Sequence, residues 1–71
     1  MRFVSHNRVT INLDLVTSIR SEKKSFDHLI TFVHIPYINQ SPVETVWKFK
    51  KAEQRDSVYE ELNKKLQVEE I

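Results

Sequence analysis

Most of this chain alternates apolar and polar residues with a period of two, and a helical stripe occurs once, in the last third. Val9, Ile11, Leu13 and Leu15 alternate with Arg8, Thr10, Asn12 and Asp14. Val43, Thr45, Trp47 and Phe49 alternate with Glu44, Val46, Lys48 and Lys50. Such alternation argues for strands that each bury one face. Val58, Leu62 and Leu66 instead recur at i, i+4 and i+8, with Tyr59 widening the stripe and Ala52 and Arg55 continuing it upstream. Strands with one apolar face need something to pack on, and this helix is the only such element on offer. The expected fold is therefore α+β: a four- to five-stranded antiparallel sheet followed by one C-terminal amphipathic helix packed on one face.

A length of 71 residues bounds this to one domain, 1–71. A domain of that size buries roughly 60% of the surface its unfolded chain exposes, so the core is thin. Hydrophobic residues at 39% and seven aromatics are too many for a disordered chain. Cysteine is absent, which excludes a disulfide framework and a thiolate zinc site. Without such staples a small domain relies on packing or self-association. Glycine is absent too, so the turns fall to residues such as Asn and Asp that tolerate positive φ. That absence also removes every glycine-rich phosphate loop.

The strands are expected at about Arg2–Ser5, Arg8–Leu13, Val16–Glu22, Leu29–Ile35 and Val43–Lys50, and the helix at about Lys51–Gln67. Asn7 is the candidate left-handed residue between the first two strands, which would pair as a hairpin. Asp14 is a turn residue and marks a break. Ser21–His28 is polar and reads as a solvated hairpin loop, with Phe26 folded back over an edge. Leu29–Ile35 is apolar on both faces. Pro36 ends that strand, and the loop from Tyr37 to Pro42 has Asn39 at its tip. Trp47 and Phe49 should face the core, because two aromatics bury far more area than Val46. Glu60 with Lys64 and Glu61 with Lys65 form i,i+4 pairs in the favourable order. Lys50 and Lys51 make a weak N-cap.

Two stretches carry a resemblance. Ile11-Asn12-Leu13-Asp14-Leu15-Val16-Thr17-Ser18-Ile19 and Trp47-Lys48-Phe49 through Arg55-Asp56-Ser57-Val58-Tyr59-Glu60-Glu61-Leu62 resemble a loose group of small bacterial and phage proteins. Their layout is similar to a truncated pleckstrin-homology-like sheet with a C-terminal helix. What the resemblance implies is mainly fold. It further implies binding rather than catalysis, since the wider fold serves binding.

The residues point the same way. His6, His28 and His34 are the only histidines, and their spacing matches no local ligand motif. Asp14, Asp27 and Asp56 read as turn, loop and helix first-turn acids. Ser5 and His6 are sequence neighbours on opposite sides of a strand, which does not suit a nucleophile and its base. No enzyme, no cofactor and no metal site is expected. A net charge of +1 is small for a dedicated nucleic-acid binder. No apolar run approaches the ~20 residues of a membrane span, and the N-terminal stretch lacks a signal-peptide apolar region. A cytoplasmic protein, or a phage or plasmid product acting in a bacterial cytoplasm, is expected.

The leading expectation is a protein-interaction module that self-associates as a homo-oligomer through a sheet face or an edge strand. Ile35, Pro36, Tyr37 and Ile38, apolar residues around a proline, are the candidate contact loop. The alternative is a single-stranded nucleic-acid binder using a mildly basic open sheet face. Arg20, His34, Lys48 and Lys50 would supply that face. Trp47 is expected as a core anchor under Leu62; exposed, it would suggest a partner-binding hot spot.

Overall fold

The computed structural model describes residues 2–35 and 40–69. Among these residues five antiparallel strands form two sheets, and one helix follows them. Strands β1 (Phe3–His6) and β2 (Val9–Asn12) form a hairpin. A single 3-10 turn, Leu13–Leu15, follows. Strands β3 (Val16–Lys24), β4 (Asp27–His34) and β5 (Val43–Phe49) make a three-stranded sheet with β4 central. Helix α1 spans Ala52–Leu66.

The expected α+β order is present, but the strands do not share one sheet. The break at Asp14 separates them. Asn12 Oδ1 accepts the Asp14 amide at 3.0 Å, the local bond by which Asn diverts a chain from strand into turn. Val16 then leaves toward β4, so β2 and β3 never pair.

Both hairpin turns are tight and glycine-free. Asn7 and Arg8 have φ of 50° and 65°, the left-handed pair of a type I′ turn. The Ser21–His28 loop is corrected to two residues, Ser25 and Phe26, with Ser25 at φ 53°. Strand pairing continues to Lys24 opposite Asp27, because polar side chains on a solvated edge do not stop a β-ladder. Phe26 is 94% exposed at the tip rather than folded over an edge.

The register assigns the faces. Trp47 stands opposite Ile30 and Thr45 opposite Phe32, and these residues point to the inner side. Ile11, Leu13, Ile30, Phe32, Trp47, Phe49 and Leu62 form one buried cluster. Phe32 meets Trp47 edge-on at 4.7 Å between ring centres, a favoured aromatic arrangement. Trp47 is thus core, as expected.

The helix does not cover the inner face alone. The β1–β2 hairpin shares it, held by the Trp47 indole, whose Nε1–H donates to the Val9 carbonyl at 3.0 Å. The His6 ring also stacks on Phe49, with 4.2 Å between centres. At the end of α1, Gln67 takes the left-handed conformation. Its amide reaches the Lys64 carbonyl and that of Val68 reaches Asn63, which satisfies the last helical carbonyls. No side chain caps the helix start at Lys51.

Candidate functional site

Among the described residues, two surfaces of the three-stranded sheet have no element over them: its outer face and the edge of β3. Cross-strand rows build the outer face. Ser18, Val33 and Glu44 form one row, Arg20, Thr31 and Val46 the next, and Glu22, Leu29 and Lys48 the third. Thr31 is only 2% exposed and Leu29 is buried, although both point outward. Charged side chains on the flanking strands close over them. Arg20 donates from Nε to Glu22 at 2.6 Å and from Nη2 to Glu44 at 3.0 Å, bridging over Thr31 from β3 to β5. The Thr31 hydroxyl donates to the other Glu22 oxygen at 3.2 Å.

This array bears on the candidate basic face. Arg20 and Lys48 do share the outer side, and Lys50 follows Lys48 just beyond β5. His34 does not join them. It lies on the inner side with Phe32 and Ile30, opposite Val43, and its Nε2 meets the Thr45 hydroxyl at 2.8 Å. Arg20 is engaged by two carboxylates. Its bonds to Glu22 and Glu44 hold the guanidinium above its ordinary range, and they hold the Glu22 carboxyl below the usual carboxylate range. The face is a mixed lattice rather than a cationic one.

The histidines go to separate places. The His6 Nε2 lies 3.0 Å from the Lys48 carbonyl, which requires that nitrogen to be the donor. His28 is half-buried opposite Phe49, and its Nδ1 has no hydrogen-bond partner among the described residues. Among the described residues no three His, Cys, Asp or Glu side chains converge as metal ligands would. Among the described residues no helix is long and apolar enough to cross a membrane.

Of the candidate contact loop, Pro36, Tyr37 and Ile38 lie outside the described residues. Ile35 is half-buried, and its amide donates to the Leu15 carbonyl at 3.3 Å.

The β3 edge is the feature that sequence reasoning missed. Lys24 and Asp27 flank a two-residue turn, so they exchange hydrogen bonds and every second pair along the ladder does likewise. The amides and carbonyls of Arg20 and Glu22 then face β4. Those of Ile19, Ser21 and Lys23 face outward and meet no strand among the described residues. The same parity places the Lys48 carbonyl on the outer edge of β5, where His6 takes it.

Beside the first half of β3 runs an open groove of about 380 Å³. Val16 and Ile19 form one wall; Tyr59 and Leu66 of α1 form the other, with Asn63 between them and Val68 at one end. The expected loop over Ser21–His28 hid this edge in the sequence. Past Ile19 the strand carries no apolar residue, so no period-two pattern marks its far end.

No family model matches this chain, and no curated protein or solved structure does.

Proposed function

We propose that this chain is a non-catalytic protein-interaction module that associates with copies of itself in a cytoplasm. The observation that carries the reading is the β3 edge. It is nine residues long and faces outward without a strand partner among the described residues. A long open edge is a template for another strand; on β3, Lys23, Lys24 and a bulge between Val16 and Ser18 limit such pairing, whereas full protection comes from a covering element. The β5 edge is treated that way here: the β1–β2 hairpin leans over it through His6 and Trp47. The resemblance to small bacterial and phage proteins of a binding fold points the same way.

Single-stranded nucleic acid is the competing ligand for the outer face, through Lys48 and Lys50. The engagement of Arg20 by Glu22 and Glu44 weighs against it.

Size-exclusion chromatography with light scattering tests the reading. A dimeric mass at high micromolar concentration is expected, with no shift when a labelled single-stranded oligonucleotide is added at low salt. A monomer throughout that range rules self-association out, and oligonucleotide binding with a steep salt dependence would replace the reading with the nucleic-acid one.

A further inference from the structure

We propose that the partner is a second copy docked antiparallel on the β3 edge, centred on Ser21, with the partner's Phe26 seated in the groove between β3 and α1. This rests on the self-association reading and specifies its interface.

Register comes first. Ser21 is one of the residues whose amide and carbonyl face outward, so two copies can meet there about a two-fold axis, each Ser21 bonding the other. Ile19 then exchanges bonds with the partner's Lys23. Arg20 comes to stand opposite the partner's Glu22, and Glu22 opposite the partner's Arg20. These are non-hydrogen-bonded pairs, whose Cα atoms approach to about 4.5 Å. Opposite charges at such positions attract, and like charges repel.

The neighbouring registers lack this fit. Centring on Lys23 also pairs Glu22 with the partner's Lys24, but it sets two lysines face to face and carries the hairpin tip to Arg20, short of the groove. Centring on Ile19 places Arg20 opposite Ser18 and leaves Glu22 with an apolar neighbour. Of the three, the register centred on Ser21 is the one that pairs opposite charges with no like-charge contact.

The second fit is apolar and lies one strand-length away. A chain antiparallel to β3 about Ser21 carries its hairpin tip, Ser25 and Phe26, to the region of Val16 and Thr17. That is where the groove opens, lined by Val16, Ile19, Tyr59 and Leu66. Phe26 is the most exposed large hydrophobic residue among those described. A large exposed aromatic and an apolar recess therefore fall together under the operation that the charges select. Two-fold symmetry makes the contact twice, and because β5 is covered the assembly closes as a dimer with a six-stranded sheet.

Three sets of variants of the full chain test this, each checked for unchanged folding by far-ultraviolet circular dichroism. Arg20→Glu places two carboxylates at the contact, and Glu22→Arg places two guanidinium groups there. Each alone is expected to be monomeric, while an equimolar mixture recovers the dimer mass. If either variant dimerises alone, or the mixture stays monomeric while the native chain is dimeric, this register is wrong.

Ser21→Cys is expected to form an interchain disulfide on mild oxidation, since hydrogen-bonded pairs lie about 5.5 Å apart at Cα, within disulfide range. Val46→Cys on the β5 edge is expected to remain monomeric. Crosslinking through Val46→Cys and not Ser21→Cys would leave self-association standing and overturn the β3 interface. Phe26→Ser is expected to weaken the dimer at least about tenfold. An unchanged dissociation constant would remove Phe26 from the interface. A monomeric native chain would instead end the self-association reading itself.

Discussion

Arg8 occupies a position where glycine is the usual residue. With Asn7 it forms the central pair of a type I′ turn, at φ of 50° and 65°. Asn followed by Gly is the preferred sequence there, because the second residue meets no Cβ penalty if it is glycine. The chain contains no glycine, so Arg8, Ser25 and Gln67 all carry the left-handed conformation with a Cβ in place. Each such residue costs about 1 kcal/mol, offset in part by a less flexible unfolded chain. Arg8→Gly is therefore expected to raise stability by about 0.5–1 kcal/mol, read as a higher urea midpoint at unchanged slope. Arg8→Val, with a branched Cβ at positive φ, should lower it. A lower midpoint for Arg8→Gly would show that the Arg8 side chain contributes more than its backbone costs. Asn7 was legible in the sequence, because Asn tolerates this conformation. Arg8 and Ser25 were not, because their residue types carry no such signal.

The elements divide in the same manner. Strands β2 and β5 and helix α1 could be read from their apolar period, since each buries one face and shows the other to water. Strand β4 could be read as a filled strand, and its central place in the sheet explains why. The strand expected over Val16–Glu22 stops short of Lys23 and Lys24, the last residues of β3. These two lie at an edge where neither face demands apolar side chains, so they resemble a loop. The division into two sheets was also hidden, because it depends on where the β1–β2 hairpin docks rather than on any one strand. That docking centres on Trp47. Its ring packs against Phe32 in the core, and its Nε1–H satisfies the Val9 carbonyl. Trp47→Phe keeps an aromatic but removes the donor and part of the packing volume, at an expected cost of about 2 kcal/mol. The loss should concentrate in the hairpin. Amide hydrogen exchange is expected to accelerate at Val9–Asn12 more than at Ile30–Phe32. Uniform acceleration across both stretches would mean that the hairpin has no separate opening and that Trp47 acts on the whole core alike.

At the scale of the whole molecule, Arg2 joins parts of the chain that are far apart in sequence. Its backbone amide and Nε both donate to the Asp14 carboxylate, at 3.2 and 3.1 Å, and its Nη1 donates to the Lys65 carbonyl near the end of α1. The start of the chain, the 3-10 turn between the two sheets and the helix C-terminus thus meet at one guanidinium. The side-chain bond from Arg2 holds the Asp14 carboxyl below the usual carboxylate range, and the bond from Arg20 does the same for Glu22. A carboxyl whose value is lowered by folding stabilises the native state above its unfolded value, and that contribution disappears as pH falls through the folded value. Stability should therefore hold from neutral pH down to about pH 5 and then decline through about pH 4 and below. The Asp14 carboxylate is exposed and that of Glu22 is half-buried on an open sheet face, so each contributes modestly. Asp14→Asn removes one of them and leaves the side chain's size unchanged. In urea titrations the variant is expected to be less stable than the native chain at neutral pH and to lose less on acidification, so that the two converge below the ordinary carboxylate range. Equal stability at neutral pH would mean that Arg2 holds the helix end through Lys65 alone, and that the contact with the 3-10 turn contributes nothing to the fold.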